Sequence, residues 1–149
     1  IARKQGVEII HSRVGTVTDN GRDTSLRYKA FGLEDPRDSV ENQILPEVAP
    51  QGDEIVFTKY TSGVFNSTNI DRVLRNLGIR NLIITGVVTN GCVESTVRSA
   101  TELDYGTILV EDATASMFPQ IQEHCVLSMK TKDAIVKTTD ETVGLLESL

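Results

Sequence analysis

The sequence has no tryptophan, only 5% aromatic residues, and fewer basic than acidic side chains. With 15 Lys and Arg against 21 Asp and Glu, the formal net charge is −6. A negative field repels a phosphate backbone, and a shortage of aromatic rings leaves little surface on which nucleic-acid bases could stack. The composition therefore argues against a nucleic-acid partner.

Long apolar runs and an obvious export signal are also missing. No stretch reaches the roughly 20 apolar residues that a membrane span requires. Residues 1–6 (IARKQG) become polar at once, unlike a secretory signal peptide. The chain has only two cysteines, Cys92 and Cys125, and without export they are expected to stay reduced. These features predict a cytoplasmic protein with no membrane partner and no disulfide.

The pattern along the chain is that of an α/β protein. Its 149 residues suit one domain, assigned to residues 1–149. Apolar runs alternate with helical spacing, which is typical of a parallel sheet with helices on both faces. The predicted strands are residues 7–11, 54–59, 81–88, 107–110 and 134–137. The predicted helices are residues 69–77, 92–103, 118–129 and a terminal helix from residue 140.

Residues 15–39 interrupt this alternation. Glycine, aspartate, asparagine and proline recur through the segment and break any regular period, which predicts a long loop. Loops of this length in compact domains are usually functional lids, partner contacts or disordered segments. The sequence does not choose between these roles.

Cys92 occupies a position suited to nucleophilic chemistry. It follows the most apolar predicted strand in the segment GVVTNGC, residues 86–92, and opens a helix. Unpaired backbone N–H groups at a helix start favour the thiolate, which is the attacking species, and can also bind an oxyanion. Gly91 leaves room for a tight turn. The alternative is that Cys92 is a small buried hydrophobic residue, as free cysteines usually are. That interpretation is favoured for Cys125, which lies within a helical pattern.

Two other strand ends carry candidate residues. Lys59 ends an apolar strand at the same carboxyl edge of the sheet, where ligands bind in open α/β folds. Its ammonium could favour the thiolate or contact a substrate, although a solvated strand-end lysine is the alternative. His11 also ends a strand, and a structural hydrogen-bonded histidine is favoured there over a catalytic one.

Three segments resemble the isochorismatase-like cysteine hydrolases. These are FTKYTSGVFNSTNID at residues 57–71, LIITGVVTNGCVESTVRSATELDYGTILVEDATAS at 82–116 and AIVKTTDE at 134–141. The resemblance implies a Rossmann-like three-layer α/β/α fold with a mostly parallel sheet. It also implies an Asp–Lys–Cys triad in which Cys92 is the nucleophile and Lys59 the lysine.

The same resemblance implies further properties of the site. A cis peptide is expected at Val87–Val88, with the backbone N–H groups of Val88 and Cys92 forming the oxyanion hole. TNGCVEST and LVEDATAS look most similar to the ureidoacrylate and biuret amidohydrolases. Asn90 and Phe65 would then face a small amide or ureide substrate, although Asn90 could equally stabilise the turn. Family members form dimers or tetramers, and no cofactor is expected.

The sequence departs from the family pattern in two places. The triad aspartate belongs to a first, central strand that these residues do not contain, and Asp19 and Asp23 lie in a loop. We therefore expect an N-terminal piece to be missing and the edges beside the absent strand to be unpaired. The metal-binding Asp-x-His…His pattern is also lacking, since HSRVGTV at 11–17 offers one histidine. No metal is predicted.

These departures leave two alternatives to an amidohydrolase. One is a nicotinamidase-like hydrolase, against which the missing metal pattern weighs. The other is a non-catalytic family member, which a true absence of the aspartate would favour.

Overall fold

The structure is a computed structural model that describes residues 1–37 and 39–149. Asp38, inside the segment predicted as a loop, lies outside the described residues. The described strands are β1 Ile10–Val14, β2 Ile55–Lys59, β3 Asn81–Val87, β4 Gly106–Ala115 and β5 Ile135–Lys137. The α-helices are α1 Leu26–Ala30, α2 Val64–Ser67, α3 Ile70–Asn76, α4 Glu94–Glu102, α5 Pro119–Lys132 and α6 Thr139–Glu147. Short 3₁₀ turns lie at Ala2–Gln5, Val40–Asn42 and Pro46–Val48.

All the strand pairs are parallel. β1 pairs with β2 from Ile10 opposite Ile55 to Val14 opposite Lys59, and β4 lies between β3 and β5. Parallel strands that are covered by helices have nearly continuous apolar sequences, and this feature predicted most of the strands from the sequence. The predicted α/β class, with helices on both sides of a parallel sheet, is confirmed.

The sheet is divided into two parts. Within the described residues β1 is hydrogen-bonded only to β2, and β3 only to β4. β3 therefore has an open edge, and the side chain of Val87 near its end is 68% exposed. That a central strand is missing from these residues stays a prediction.

Two groups of buried apolar side chains hold the helices against the strands. In the first, α4 and α5 cover the β3–β4–β5 sheet, and Leu109 and Met129 are fully buried. In the second, α2, α3 and α4 meet around Leu74, with Phe57 of β2 packed against the group. Leu82 of β3 packs against both groups and so connects them.

Two strands differ from their predicted bounds. β1 was predicted at residues 7–11 but lies at Ile10–Val14. Its pairing with β2 begins at Ile10 and continues across the polar residues Ser12 and Arg13. β4 was predicted to end at residue 110 but continues to Ala115, because its register against β3 shifts after Ile84. In both places backbone pairing extends the strand into residues that lack an apolar pattern.

The segment predicted as a continuous loop contains the short helix α1. The Ser25 side chain caps it by accepting a hydrogen bond from the Tyr28 N–H at 3.3 Å. Gly32, with φ of 69°, follows the helix in the left-handed conformation that glycine adopts without a steric penalty. Upstream, the Asp23 carboxylate accepts from the backbone N–H groups of Val17 and Thr18 at 2.8 and 3.0 Å. The segment is thus internally hydrogen-bonded.

The helices in the described part of the chain are short. None of them is both long enough and apolar enough to cross a membrane.

Candidate active site

Two predicted site residues meet at the carboxyl edge of the strands. Lys59 is the last residue of β2, and Cys92 follows β3. The Lys59 Nζ donates hydrogen bonds to the Cys92 Sγ at 3.0 Å and to the carbonyl oxygen of Thr61 at 3.3 Å. Lys59 is only 3% exposed, so the alternative of a solvated strand-end lysine is wrong.

The Cys92 thiol lies on a wide helical turn between β3 and α4. This turn, Thr89–Val93, has π-helical hydrogen bonding, a geometry frequent at functional sites. The carbonyl of Val88 accepts the N–H of Gly91 at 3.0 Å, and the Thr96 hydroxyl donates to the Cys92 carbonyl at 2.7 Å. A Cβ on Gly91 would lie 3.1 Å from the Val88 Cγ2, so the turn fits glycine closely. The half-buried thiol is therefore held at the start of the helical segment, as predicted.

The Lys59 ammonium is buried beside the Cys92 thiol. An ammonium taken out of water is costly unless it is paired. Among the described residues, no carboxylate forms an ion pair with Lys59. Among the described residues, the Cys92 sulfur is the side-chain hydrogen-bond partner of the Lys59 ammonium.

The backbone before Cys92 has the conformation that the resemblance implied. The peptide bond between Val87 and Val88 is cis. The assignment of the Val88 and Cys92 backbone N–H groups to an oxyanion hole stays a prediction.

The two predicted substrate-binding residues lie in different surroundings. Asn90 is exposed, and its Oδ1 accepts a hydrogen bond from the Ser116 hydroxyl at 3.1 Å, which ties the Cys92 turn to the end of β4. Phe65 packs on Tyr105, with ring centroids 5.8 Å apart, beside the second buried group. The Asn90 contact fits the turn-stabilising alternative, and a substrate role for either residue stays a prediction.

Tyr28 of α1 contacts the segment that follows β2. Its Oη lies 3.3 Å from the Ser62 Oγ. Burial raises the pKa of the Tyr28 phenol, the hydrogen bond with Ser62 lowers it, and charge interaction with Cys92 raises it. The serine cap and the following glycine were visible signals for α1, but nothing in the sequence indicated that the phenol would contact Ser62.

The remaining ionisable candidates lie away from the thiol. His11 Nε2 is hydrogen-bonded to Glu54 Oε2 at 3.1 Å, which confirms the structural interpretation of this histidine. The Asp19 carboxylate pairs with Arg37 in the loop at 2.6 Å. Within residues 1–37 and 39–149 no three His, Cys, Asp or Glu side chains are grouped as a metal site would require. That the protein binds no metal remains a prediction.

Cys125 illustrates the contrast with Cys92. It is buried in α5 within the first apolar group, and both cysteines are free thiols. Burial raises the pKa of the Cys125 thiol, and the nearby Glu94 carboxylate adds to this effect. A thiol kept protonated in a core is inert, as predicted for this residue.

Glu54 provides a pH-dependent link between the N-terminal turn and β2. Its carboxylate accepts hydrogen bonds from the side chain of Arg3, the backbone N–H of Gln51 and the ring of His11, which lower the Glu54 pKa to about 2. A carboxyl group with a lowered pKa stabilises the fold at pH values above its ordinary pKa, which is 4.5 for this group. This contribution is lost as the pH falls toward 2.

Glu54→Gln is therefore expected to destabilise the protein at pH 6 and to have less effect at pH 3, as measured by urea unfolding. Exposed Glu47→Gln serves as the control, and equal losses at both pH values would contradict the assignment.

Comparisons with known proteins identify the family of the chain. Residues 1–141 match the isochorismatase domain. The chain is 33% identical over 162 aligned positions to the ureidoacrylate amidohydrolase RutB of Agrobacterium fabrum. This alignment covers 97% of this chain and 71% of that protein. It is 43% identical over 104 positions to RutB of Variovorax paradoxus, covering 68% of this chain but only 40% of that protein. A crystal structure described as a cysteine hydrolase from Pseudomonas syringae pv. phaseolicola superposes with a TM-score of 0.90 at 27% identity, over 99% of this chain and 75% of that one. Together with the Lys59–Cys92 pair, these matches show that the chain belongs to the isochorismatase family.

Proposed function

We propose that the protein is a cysteine amidohydrolase that cleaves a C–N bond of a small amide or ureide. The observation that carries this proposal is the 3.0 Å contact between the buried Lys59 ammonium and the Cys92 sulfur. An ammonium in this position can hydrogen-bond a thiolate, which is the species that attacks a carbonyl carbon. The RutB relatives are named for hydrolysis of a ureide, which favours that substrate class.

The proposed reaction proceeds through a covalent intermediate. The Cys92 thiolate forms a C–S bond to the substrate carbonyl carbon, and the electron pair of the C=O bond moves onto the oxygen. The backbone N–H groups of Val88 and Cys92 stabilise this oxyanion. Its collapse breaks the C–N bond, the nitrogen leaves as ammonia or an amine after gaining a proton, and water hydrolyses the thioester to restore the thiol.

The thiol proton needs a base. The family resemblance assigns that role to an aspartate, and within the described residues no carboxylate hydrogen-bonds the Cys92 Sγ. Asp23 cannot take this role where it lies, since its carboxylate is used by Val17 and Thr18. We propose that residues 1–149 supply the nucleophile, the lysine and the oxyanion donors of one hydrolase domain.

The edge of the site near Asn90 is proposed to contact the substrate. The Ser116 hydroxyl fixes the Asn90 side chain through its Oδ1, and no hydrogen bond of the Nδ2 is found within the described residues. An oriented amide N–H₂ suits a substrate carbonyl or carboxylate oxygen. Phe65 is proposed as a more distant apolar wall, and assembly into dimers or tetramers remains a proposal from the family resemblance.

Trapping the intermediate tests the covalent step. The full-length protein is mixed with ureides and small linear amides that release ammonia, quenched in acid, digested and analysed by mass spectrometry. The peptide containing Cys92 is expected to gain the mass of the acyl group, while the peptide containing Cys125 is expected to stay unmodified. Steady turnover without any acylated Cys92 peptide after quenching within the first turnovers would argue against a thioester intermediate.

A further inference from the structure

We propose that a cavity at the carboxyl end of β1 and β2 binds the carboxylate group of a small molecule, with Arg13 as its main contact. This Arg13 cavity has a volume of about 270 Å³ and is open to solvent. Neither Lys59 nor Cys92 lines it, so the site is separate from the thiol and does not depend on the proposed function. The residues whose side chains bear on the proposal are Arg13, Arg37, Thr58 and Tyr60.

The pairing of β1 with β2 brings two of these side chains together. Arg13 lies opposite Thr58, and the next pair in the register is Val14 opposite Lys59. Alternate residues of a strand face opposite sides of a sheet, so Arg13 and Thr58 share the face that Lys59 does not use. Tyr60, two residues after Thr58, lines the same cavity. The cavity thus lies at the edge of the sheet where ligands bind in open α/β folds.

The Arg13 guanidinium is held by the protein along one edge only. Its Nη1 donates hydrogen bonds to the Asn42 carbonyl at 3.3 Å and to the Gln43 Oε1 at 3.1 Å. Its Nε is buried and has no hydrogen-bond partner within the described part of the chain. In arginine, Nε and the neighbouring Nη2 form the fork that binds a carboxylate through two parallel hydrogen bonds. Because a buried donor without an acceptor is costly, a carboxylate at this edge would remove an existing penalty.

The charges at the cavity also favour an anion. Its described lining holds two guanidinium groups and no carboxylate, in a chain whose net charge is −6. Arg37 pairs with Asp19 at 2.6 Å and donates to the Val17 carbonyl at 3.1 Å. Arg13 forms no ion pair within residues 1–37 and 39–149. The positive charge of Arg13 is therefore the one that the fold leaves for a ligand.

The remaining polar groups suit a ligand that only accepts hydrogen bonds. Thr58 and Tyr60 each carry a hydroxyl that can donate, and both residues line the cavity. An ionised carboxylate has two oxygens that accept and none that donates. The donors of the Arg13 cavity therefore match a carboxylate better than a neutral amide, which brings donors of its own.

Binding of propionate tests the proposal without any turnover. The full-length protein is titrated with sodium propionate at pH 7 and constant ionic strength, and binding is followed by saturation-transfer NMR. Propionate is expected to bind saturably, and neutral propionamide is not. Arg13→Gln is expected to weaken propionate binding about tenfold or more, since it removes a charge-assisted pair of hydrogen bonds. Arg13→Lys, which keeps the charge without the fork, is expected to fall between Arg13→Gln and the parent protein.

The matched control is Arg22→Gln. Arg22 is exposed in the same loop, and its removal changes the net charge equally without altering the cavity lining. Its propionate binding is expected to match that of the parent protein. Equal binding of propionate and propionamide, or unchanged propionate binding in a folded Arg13→Gln variant, would overturn the proposal. Where urea unfolding shows that Arg13→Gln has lost the parental fold, Thr58→Val decides instead, because valine keeps the shape of threonine without its hydroxyl; unchanged binding in that variant counts against the site.

Ammonia release then distinguishes the two sources of the carboxylate. If it belongs to the substrate of Cys92, propionate raises KM for a carboxylate-bearing ureide, and Arg13→Gln raises the same KM about tenfold without affecting a neutral ureide. If it belongs to a second molecule, propionate and the carboxylate-bearing ureide bind together and KM stays unchanged. A protein that binds propionate through Arg13 but releases no ammonia would support the carboxylate site while refuting the proposed function.

Discussion

Replacing Cys92 by serine is expected to reduce ammonia release from the best ureide or amide substrate by about 10³-fold or more, since removal of a covalent nucleophile can cost up to about 10⁶-fold in enzymes that depend on one. Serine preserves the shape of the side chain but not its chemistry. The hydroxyl is a much weaker acid and a weaker nucleophile than the thiol, although it stays near the Lys59 ammonium, which lies 3.0 Å from the Cys92 sulfur. Cys92 is half-buried, and urea unfolding checks that the variant keeps the fold.

The matched control is Cys125→Ala. This residue lies in the core of α5, and the substitution is expected to leave turnover intact at a small cost in stability. Comparing the two variants shows whether turnover depends on the Cys92 thiol in particular or is lost when either cysteine is replaced. Turnover by Cys92→Ser within a few-fold of the parent rate would refute the nucleophile assignment, whatever the effect of Cys125→Ala.

Much of the fold could be predicted because its strands are buried apolar runs between helical patterns. The strand at Asn81–Val87 and the helix at Ile70–Asn76 lie within two residues of their predicted limits. β1 was misplaced because its later residues, Ser12 and Arg13, are polar, and only pairing with β2 shows that they continue the strand. A hydrophobic pattern indicates which side chains are buried. Where a strand ends depends instead on backbone pairing with a partner strand that is distant in sequence.

The candidate site was only partly predictable for a related reason. Lys59 ends β2 and Cys92 follows β3. Parallel strands bring their carboxyl ends to one edge of the sheet, so the contact between these two residues could be expected from topology. The contact of Tyr28 was not predictable in this way, because Tyr28 lies on a short helix within a segment rich in turn-forming residues. Its approach to Ser62 is a tertiary contact that no local period indicates.

Lys59→Met is expected to lower kcat/KM by about 10²-fold or more, the usual scale for removing a positioned electrostatic group from an active site. Methionine keeps a long unbranched side chain but removes the ammonium that contacts the Cys92 sulfur and the Thr61 carbonyl. The same variant is expected to keep or increase the free energy of unfolding. Taking an ammonium out of water is costly, and an apolar side chain of similar length does not carry that cost.

This opposite behaviour of activity and stability distinguishes a functional lysine from a structural one. Lys137→Met is the matched control, since Lys137 ends β5 as Lys59 ends β2 but makes no contact with the thiol in the described part of the chain. It is expected to change neither ammonia release nor the urea midpoint appreciably. If Lys59→Met lost several kcal/mol of stability and kept its turnover, the buried ammonium would be a structural group and the Cys92 thiolate would have to be stabilised by other donors. If kcat/KM falls and the free energy of unfolding does not, the Lys59 ammonium is required for the chemistry at Cys92 and not for the stability of the fold.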